Sequence, residues 1–229
     1  MARVDTAQGR FYEIDGKKYV SVTTVLGLLS KPFLLPWAVN QTIQYIVDAG
    51  VSLEELKKKG SQVYAEAKNY HALVKTEAAD KGSRCHAAIE QYLKDGTLIF
   101  EPDIAQAIGA FMLWQKEHKF KILKSEHTVY SKKGYAGTLD ILCTLDGKTT
   151  LCDLKTSNKI WPEHYLQISA YAKACEENTC LKIEQCGILR LGKEDGMPEW
   201  KPIKRKEVNA AYKRFLCLLK YWQLTKKEV

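Results

Sequence analysis

The chain has 229 residues, which is long enough for one large domain or for a core with a helical extension. Hydrophobic residues make up 45% and charged residues 27% of the sequence, as in ordinary globular proteins, and no apolar run approaches the roughly 20 residues that span a bilayer. The formal net charge of +8 fits either simple solubility or a polyanionic partner.

The basic residues and the cysteines bear on the choice of partner and compartment. Lysines and arginines cluster within residues 57–59, 116–124, 132–133 and 201–206, which favours a nucleic acid as the partner. Seven cysteines, an odd number scattered along the chain, do not form the pattern of a secreted disulfide framework. The polar N-terminus has no apolar signal core, so we expect a cytoplasmic protein of a bacterial, archaeal or phage-infected cell, with no membrane partner.

Periodicity and turn signals predict an alternation of helices and strands. In chain order the predicted elements are a hairpin at 11–20, helices near 23–30 and 36–48, a helical stretch at 52–80 broken near Gly60, helices at 83–95 and 103–118, strands at 123–131, 137–145 and 149–156, a helix at 162–176, a strand at 182–191 and a helix at 206–224. From residue 83 onward this order is α-β-β-β-α-β, which predicts an α/β (α+β) fold with a mixed central sheet flanked by helices. We expect residues 1–80 to form a hairpin and helical region packed on a core of residues 81–229, as one compact unit.

A hairpin in this core brings two acidic side chains together. Asp146 and Gly147, between two strand patterns, predict a two-residue type I′ turn, so the residues that flank them should pair. Counting outward from the turn puts Asp140 directly opposite Asp153, with their Cβ atoms about 5 Å apart. The pleat returns Lys155 to the same face.

Two carboxylates opposed on a sheet repel each other unless a cation or a proton lies between them. Oxygen ligands at this spacing suit one or two Mg²⁺ or Mn²⁺ ions, which activate water and stabilise charge on a scissile phosphate. Lys155 would orient or deprotonate that water, or neutralise the phosphorane. The alternative for an isolated Asp-x-Lys is a surface ion pair of little energetic value, but the opposed Asp140 favours a metal site.

Four motifs occur in order along the chain: Gly82-Ser-Arg-Cys-His86-Ala-Ala-Ile-Glu90, Gly137-Thr-Leu-Asp140, Asp153-Leu-Lys155-Thr-Ser and Gln167-Ile-Ser-Ala-Tyr171. Together they resemble the PD-(D/E)XK nuclease superfamily, and within it the RecB-like, phage-type stand-alone exonucleases. The resemblance covers about residues 80–191. It implies a restriction-endonuclease-like α-β-β-β-α-β core with a mixed central sheet, an N-terminal helical region and a C-terminal helix.

The resemblance also implies roles for individual residues. Asp140, Asp153 and the carbonyl of Leu154 would bind the metal, and Lys155 would be the catalytic lysine. His86 would be a further ligand, although a lone histidine is more often solvated or part of a core.

Other residues are candidates for the surroundings of the metal or for DNA contacts. Gln167 and Tyr171 lie four apart on one helix face and would position DNA or the metal shell, with a surface Gln–Tyr pair as the alternative. Glu90, one turn after His86, and Glu126, at the start of the first core strand, are candidate ligands, with capping or an ion pair equally compatible with Glu126. Candidate contacts to DNA are Arg84, Tyr135, Lys159, His164 and Trp37.

The cysteines do not complete the iron–sulfur ligand set that some relatives carry. Cys175, Cys180 and Cys186 have the spacing Cys-x4-Cys-x5-Cys, and Cys85 adjoins the histidine motif, so we expect no cluster. The sequence contains no phosphate-binding helicase motif, so any unwinding would need a separate helicase or recombination partner.

The leading hypothesis is a metal-dependent exonuclease that hydrolyses single-stranded DNA or duplex ends through a metal-activated water, in DNA repair, recombination or a phage. A structure- or sequence-directed endonuclease of the same superfamily is the first alternative, which the lack of an added recognition domain disfavours. A non-catalytic DNA-binding or assembly module is the second, and the complete set of Asp140, Asp153 and Lys155 disfavours it.

Overall fold

The computed structural model describes residues 2–99, 101–179, 181–192 and 196–225. Within them the elements are, in chain order, β1 (Ala2–Thr6), β2 (Gly9–Ile14), β3 (Lys17–Ser21), α1 (Val22–Leu26), α2 (Leu34–Asp48), α3 (Leu53–Lys57), α4 (Gln62–Asp95), α5 (Ala105–Glu117), β4 (Phe120–Ser131), β5 (Tyr135–Leu145), β6 (Lys148–Lys155), α6 (Pro162–Thr179), β7 (Gln185–Leu191), β8 (Pro198–Ile203) and α7 (Arg205–Thr225). The order α5-β4-β5-β6-α6-β7, preceded by the end of α4, confirms the predicted α-β-β-β-α-β core.

The strands form a mixed sheet in the order β1-β2-β3-β5-β6-β7-β8, with β4 paired to β5 outside this path. The β3–β5 and β6–β7 pairs are parallel, and the other neighbouring strands are antiparallel. The parallel pair β6–β7 is joined through α6, the helical crossover that a parallel connection requires. The predicted mixed sheet flanked by helices is thus confirmed.

Helices cover both faces of this sheet. On one face α1, α6 and α7 form a core that includes Leu142, Ile168 and Phe215. On the other face α5 and the last turns of α4 form a second core around Phe111 and Trp114. Each large side chain buried in this way contributes on the order of 1.5–3 kcal/mol, so the two cores hold the strands from both sides.

The chain divides into two compact units, one of residues 1–29 and 84–229 and the other of residues 30–83. The N-terminal hairpin falls in the first unit because of a long-range pairing: Val20 and Ser21 of β3 pair with Tyr135 and Ala136 of β5. The predicted division into residues 1–80, packed on the core, and residues 81–229 stays a prediction.

Three elements depart from the predicted pattern. The sequence does not predict β1, all of whose described side chains are exposed and so show no apolar alternation. It does not predict β8 either, since Pro198 and Pro202 disfavour a strand; β8 pairs only with β7, and an edge strand tolerates proline. The break near Gly60 is present, but α4 continues through Gly82, because one helical glycine costs only about 1 kcal/mol.

Within the described ranges, no helix combines the length and the apolar character needed to cross a membrane. Cys175 and Cys186 are buried free thiols of the core, as is Cys85 on α4. Cys180, the remaining member of the spacing noted in the sequence, lies outside the described residues.

Candidate active site

The site lies at an opening in the sheet along one edge of β5. The other edge of β5 is paired with β4 over its whole length. On the open edge, β3 pairs at Tyr135 and Ala136 and β6 pairs only from Ile141 onward, so residues 137–140 have no strand partner there. The backbone gap between β3 and β6 leaves room for side chains beside residues 137–140, which are buried or half-buried.

The hairpin after this opening has the predicted turn and register. Asp146 and Gly147 both have positive φ, 49° and 82°, as a type I′ turn requires. The paired residues run from the turn to Ile141 and Cys152, where the ladder ends. Asp140 and Asp153 are therefore next in register, one position beyond the last ladder pair.

Asp140 replaces the missing ladder contact with its side chain. The backbone N–H of Leu154 donates to Oδ2 of Asp140 at 2.6 Å. In a strand the N–H and C=O of one residue point to the same edge, so the Leu154 carbonyl faces the side on which Asp140 lies. This orientation is the one that its predicted role as a metal ligand needs.

Three side chains from three elements converge beside Asp140. Nδ1 of His86, on α4, lies 3.6 Å from Oδ1 of Asp140 and 3.8 Å from Oε1 of Glu126. One ligand atom from each of these residues lies within 4.8 Å of the others. The arrangement is one that could hold a metal ion, and it includes Glu126, one of the candidate ligands inferred from the sequence.

A backbone irregularity in β4 accompanies the position of Glu126. The register of β4 against β5 shifts between Ile122 and Lys124, which marks a bulge. Glu126 itself has φ of 43°, in the left-handed region that a non-glycine residue rarely occupies. Backbone conformations of this kind cost on the order of 1–3 kcal/mol and cluster at functional sites.

Asp153 and Lys155 form a buried ion pair next to this group. Nζ of Lys155 lies 2.6 Å from Oδ2 of Asp153, as an ion pair rather than an aligned hydrogen bond, and the Asp153 side chain is 1% exposed. Oδ1 of Asp153 is buried, and no hydrogen-bond donor from the described part of the chain reaches it. A buried carboxylate oxygen without a donor is a position for a cation.

Burial and the charges of neighbouring groups both shift the pKa values of Asp153, His86 and Lys155. Burial raises the pKa of Asp153 to about 6, with the negative charge of Asp140 adding to the effect and Lys155 opposing it. Burial lowers the pKa of His86, but Asp140 and Glu126 outweigh it and raise that pKa to about 10. Burial also disfavours the charged form of Lys155, yet the two aspartates raise the pKa of its ammonium above the ordinary value.

The raised pKa values of His86 and Lys155 share one cause, since both groups lie beside carboxylates that stabilise their positive charge. Asp140 keeps its pKa below the ordinary value despite burial, because His86 and Lys155 stabilise the anion. Carboxylate oxygens with one imidazole are suitable donors for Mn²⁺ and, with fewer nitrogen ligands, for Mg²⁺. The residues present therefore fit a divalent cation.

Tyr171 and Gln167 of α6 lie against the opening in the sheet. Nε2 of Gln167 donates to the hydroxyl of Tyr171 at 3.1 Å. The ring of Tyr171 packs on Gly137 so closely that a Cβ at this glycine would lie 2.3 Å from Cε1. Both aspartates of the site act electrostatically on the Tyr171 hydroxyl and, with burial as the larger cause, raise its pKa.

One further residue of this wall was missed in the sequence. The hydroxyl of Tyr12, on β2, lies 3.1 Å from Oγ1 of Thr138, two residues before Asp140. No local sequence signal could have placed Tyr12 here, since its position depends on the parallel pairing of β3 with β5.

Two of the candidate DNA contacts, Tyr135 and His164, are buried side chains rather than surface groups. Tyr135 is fully buried, its hydroxyl donates to the carbonyl of Ala170 at 3.1 Å, and its ring packs on Phe215. His164 is 9% exposed, and its Nδ1 accepts from the backbone N–H of Trp161 at the start of α6. Both side chains face the interior of the protein rather than the solvent.

The remaining candidates occupy different surroundings. Arg84 forms ion pairs with Glu101 and with Asp103, the latter at 3.0 Å, so its guanidinium links α4 to the segment before α5. Lys159 is exposed after β6, and half-buried Glu90 on α4 is outside the group of potential metal ligands found in the described residues. Trp37 is half-buried on α2, in the unit of residues 30–83.

We expect Tyr135→Phe to lower the free energy of unfolding by about 1 kcal/mol, because it removes one buried hydrogen bond. The affinity for a DNA oligonucleotide should not change, since the hydroxyl is not accessible. Chemical denaturation and fluorescence anisotropy measure the two quantities. A tenfold loss of DNA affinity with unaltered stability would restore Tyr135 as a DNA contact.

Comparisons with known proteins return only structural similarities. No family model and no curated protein matches the chain. An alkaline exonuclease from Laribacter hongkongensis is 16% identical, with a TM-score of 0.34 over 66% of this chain and 91% of that chain. A candidate exonuclease from Eubacterium rectale is 11% identical, with a TM-score of 0.38 over 62% of this chain and 68% of that chain.

Proposed function

We propose that the chain is a metal-dependent nuclease that hydrolyses phosphodiester bonds of DNA. The observation that carries the proposal is the convergence of His86, Glu126 and Asp140, whose ligand atoms lie within 4.8 Å of one another, beside the buried pair of Asp153 and Lys155. A structural ion-pair network would not need the donor-free buried oxygen of Asp153.

In this proposal Asp140, Asp153, His86 and Glu126, with the Leu154 carbonyl, hold one or two Mg²⁺ or Mn²⁺ ions. The bound ion supplies Lewis acidity that lowers the pKa of a water molecule and neutralises charge on the scissile phosphate. Besides binding the ion, Asp140 accepts a hydrogen bond at its Oδ2 from the backbone N–H of Leu154. That hydrogen bond fixes the orientation of its carboxylate, as an outer contact does for a metal ligand.

Lys155 contributes a fixed positive charge. The two aspartates raise the pKa of its ammonium, so the group stays protonated near neutral pH. A protonated lysine cannot accept a proton from water. Of the roles proposed for Lys155 from the sequence, stabilisation of negative charge is therefore favoured. Its ammonium, held 2.6 Å from Asp153, would face the negative charge that develops on the phosphoryl oxygens.

Gln167 and Tyr171 form the wall of the site on the side of α6. Their hydrogen bond directs the tyrosine hydroxyl, and the ring contact with Gly137 fixes the ring against β5. In the proposal this pair positions DNA or the solvent around the ion, while Glu90, Lys159 and Trp37 remain candidates of lower rank.

The finer proposal is an exonuclease acting on single strands or duplex ends. Its support is the order of the four sequence motifs, which resembles that of RecB-like exonucleases. In this proposal the chain acts on DNA in the cytoplasm, with a helicase or recombination partner where unwinding is needed.

The test is a cleavage series with linear and closed circular DNA, single- and double-stranded, with Mg²⁺, with Mn²⁺ and with a chelator. Asp140→Asn should abolish cleavage, because it removes a ligand without changing size. Asp15→Asn is the matched control, since Asp15 is an exposed turn residue with φ of 49°, a conformation that asparagine also tolerates.

The outcomes separate the three hypotheses. Degradation of linear but not circular DNA, dependent on the metal, supports the exonuclease. Cutting of closed circles supports an endonuclease of the same type and contradicts the finer proposal. DNA binding without cleavage under every metal condition leaves a non-catalytic binding module and contradicts the nuclease proposal as a whole.

A further inference from the structure

A basic pocket lies at the end of the sheet away from the candidate active site. It has a volume of about 790 Å³. Lys148, Lys182, Lys204 and Arg205 contribute to its lining, together with Glu184. These residues belong to three separate segments of the first unit, so the fold rather than a local run of sequence creates the pocket.

Two pairings bring the three lysines together. Lys148 begins β6, where the backbone N–H of Glu184 donates to the carbonyl of Thr149 at 2.9 Å. That bond places Lys182, two residues before Glu184, beside the start of β6. The β7–β8 ladder begins with Cys186 paired to Ile203, which brings the following Lys204 to the same end of the sheet.

The acidic side chains near the pocket are already engaged. A carboxylate oxygen of Glu184 accepts from the N–H of Thr149 at 2.8 Å. Glu176 accepts two hydrogen bonds from the guanidinium of Arg205, at 2.6 and 2.9 Å. Arg205 also donates to the carbonyl of Ile183, so it acts as part of the wall of the pocket.

The lysines, by contrast, carry uncompensated charge. Lys148, Lys182 and Lys204 are exposed, and none forms an ion pair with another described residue. Three like charges around one concavity produce a positive potential that a phosphate-bearing ligand would neutralise. The four basic side chains of the lining outnumber Glu184, so the charge of the pocket stays positive.

The position of the pocket relative to the cleavage centre suggests the kind of ligand. Lys148 and Lys155 are the two ends of β6, seven residues apart, which corresponds to about 23 Å along the strand. At about 3.4 Å of rise per nucleotide of one stacked strand, this straight-line distance corresponds to about seven nucleotides. Because helices cover both faces of the sheet, a nucleic-acid strand that contacts both places follows the protein surface and is longer than this minimum.

We propose that this pocket is a second binding site for the phosphate backbone of a nucleic acid, which holds substrate about 23 Å from the cleavage centre. The ligand class is a polynucleotide, bound through its phosphates without reading of bases. The assignment rests on the proposed nuclease function for its role, while the binding itself does not require cleavage.

The experiment compares two triple variants for binding without metal, in a chelating buffer. One replaces Lys148, Lys182 and Lys204 by alanine. The matched control replaces Lys132, Lys213 and Lys220, three exposed lysines of the same unit, and so removes the same charge. Fluorescence anisotropy with single-stranded oligonucleotides of about 4 to about 30 nucleotides, at several salt concentrations, gives affinity and its salt dependence.

We expect the pocket variant to bind the long oligonucleotides about tenfold more weakly than the control variant. Its slope of log affinity against log salt should be smaller by about 2, since about 0.7 is lost for each single-strand phosphate contact. The deficit should vanish for oligonucleotides too short to reach both places. Equal affinities of the two variants at every length would overturn the proposal.

Inorganic phosphate and triphosphate serve as competitors to distinguish the source of the phosphate groups. Displacement of long DNA only at high concentrations of these ions supports a backbone site. Tight binding of triphosphate in the pocket, with no effect of the lysines on DNA, overturns the proposal in favour of a small phosphate ligand. DNA binding that depends on the three pocket lysines, without any metal-dependent cleavage, would reject the nuclease proposal and support the binding site. The failure of one proposal can therefore be distinguished from the failure of the other.

Discussion

Replacement of Lys155 by methionine should reduce the rate of DNA cleavage by about 10³-fold, the loss typical of one stabilising donor in an active site. The ammonium lies 2.6 Å from Asp153 and is the positive charge that the carboxylates hold in place. Methionine keeps the length of the side chain and removes only the charge. Single-turnover cleavage of a linear oligonucleotide in Mg²⁺ measures the effect, and Lys220→Met, on the exposed face of α7, is the control.

Loss of Lys155 also leaves Asp153 without its counter-ion in a buried place. Burial already raises the pKa of Asp153 to about 6, and Lys155 is the main influence that lowers it. In the variant, the pKa of Asp153 in the folded protein lies further above its pKa in the unfolded chain. Folded Asp153 therefore binds a proton more readily than unfolded Asp153 does. The free energy of unfolding of Lys155→Met should accordingly increase as the pH falls from about 8 toward about 5.

A second substitution separates catalysis from folding. Asp153→Asn combined with Lys155→Met leaves a neutral pair, so its stability should show little of this pH dependence, while cleavage stays abolished. Retention of cleavage within tenfold of the wild type by Lys155→Met, in folded protein, would remove Lys155 from the proposed mechanism.

Local sequence signals were sufficient for the centre of the fold. The Asp146-Gly147 turn fixes the register of β5 against β6, because a two-residue hairpin turn allows one pairing only. The helical and strand periods fix the order of elements around it. The side chain of Asp140 could not be predicted in the same way, since the ladder ends at Ile141 and its carboxylate instead accepts from the backbone of Leu154.

Residues whose positions depend on distant pairings could not be derived from the sequence. Glu126 reaches His86 from a strand with a bulge and a left-handed backbone, which no periodicity reveals. Tyr12 reaches Thr138 because a strand near the N-terminus pairs in parallel with β5. The burial of Tyr135 follows from the packing of α6 and α7 on that face of the sheet, which makes an aromatic residue near the motif a core residue.

Gly137→Ala should impair cleavage by about 10²-fold, the cost of misplacing an active-site group by about 1 Å. The new Cβ would lie 2.3 Å from Cε1 of Tyr171, which is 4% exposed and has little space into which to move. The free energy of unfolding should fall by about 1–3 kcal/mol, as for other overpacked cores. Both quantities are measured on the same preparation, with cleavage expressed per folded molecule.

Gly187→Ala provides a control of the same kind at another place. A Cβ at Gly187 would lie 2.1 Å from the ring of Trp200, on the edge strand β8, so a comparable clash arises away from the site. We expect this variant to lose stability but to retain its rate per folded molecule. Equal losses of rate in the two glycine variants would mean that Gly137 affects cleavage only through general stability.

The contact between Gly137 and Tyr171 can be isolated by a double-mutant cycle. In a Tyr171→Ala background the ring is absent, so adding Gly137→Ala should cost almost no further stability, and the two single effects should not add. Additive losses would place the strain of Gly137→Ala elsewhere on β5. The three atoms nearest to the added Cβ all belong to the ring of Tyr171. Non-additive losses of stability, together with a rate defect that Gly187→Ala lacks, would therefore identify this ring as the group that Gly137 positions beside Asp140.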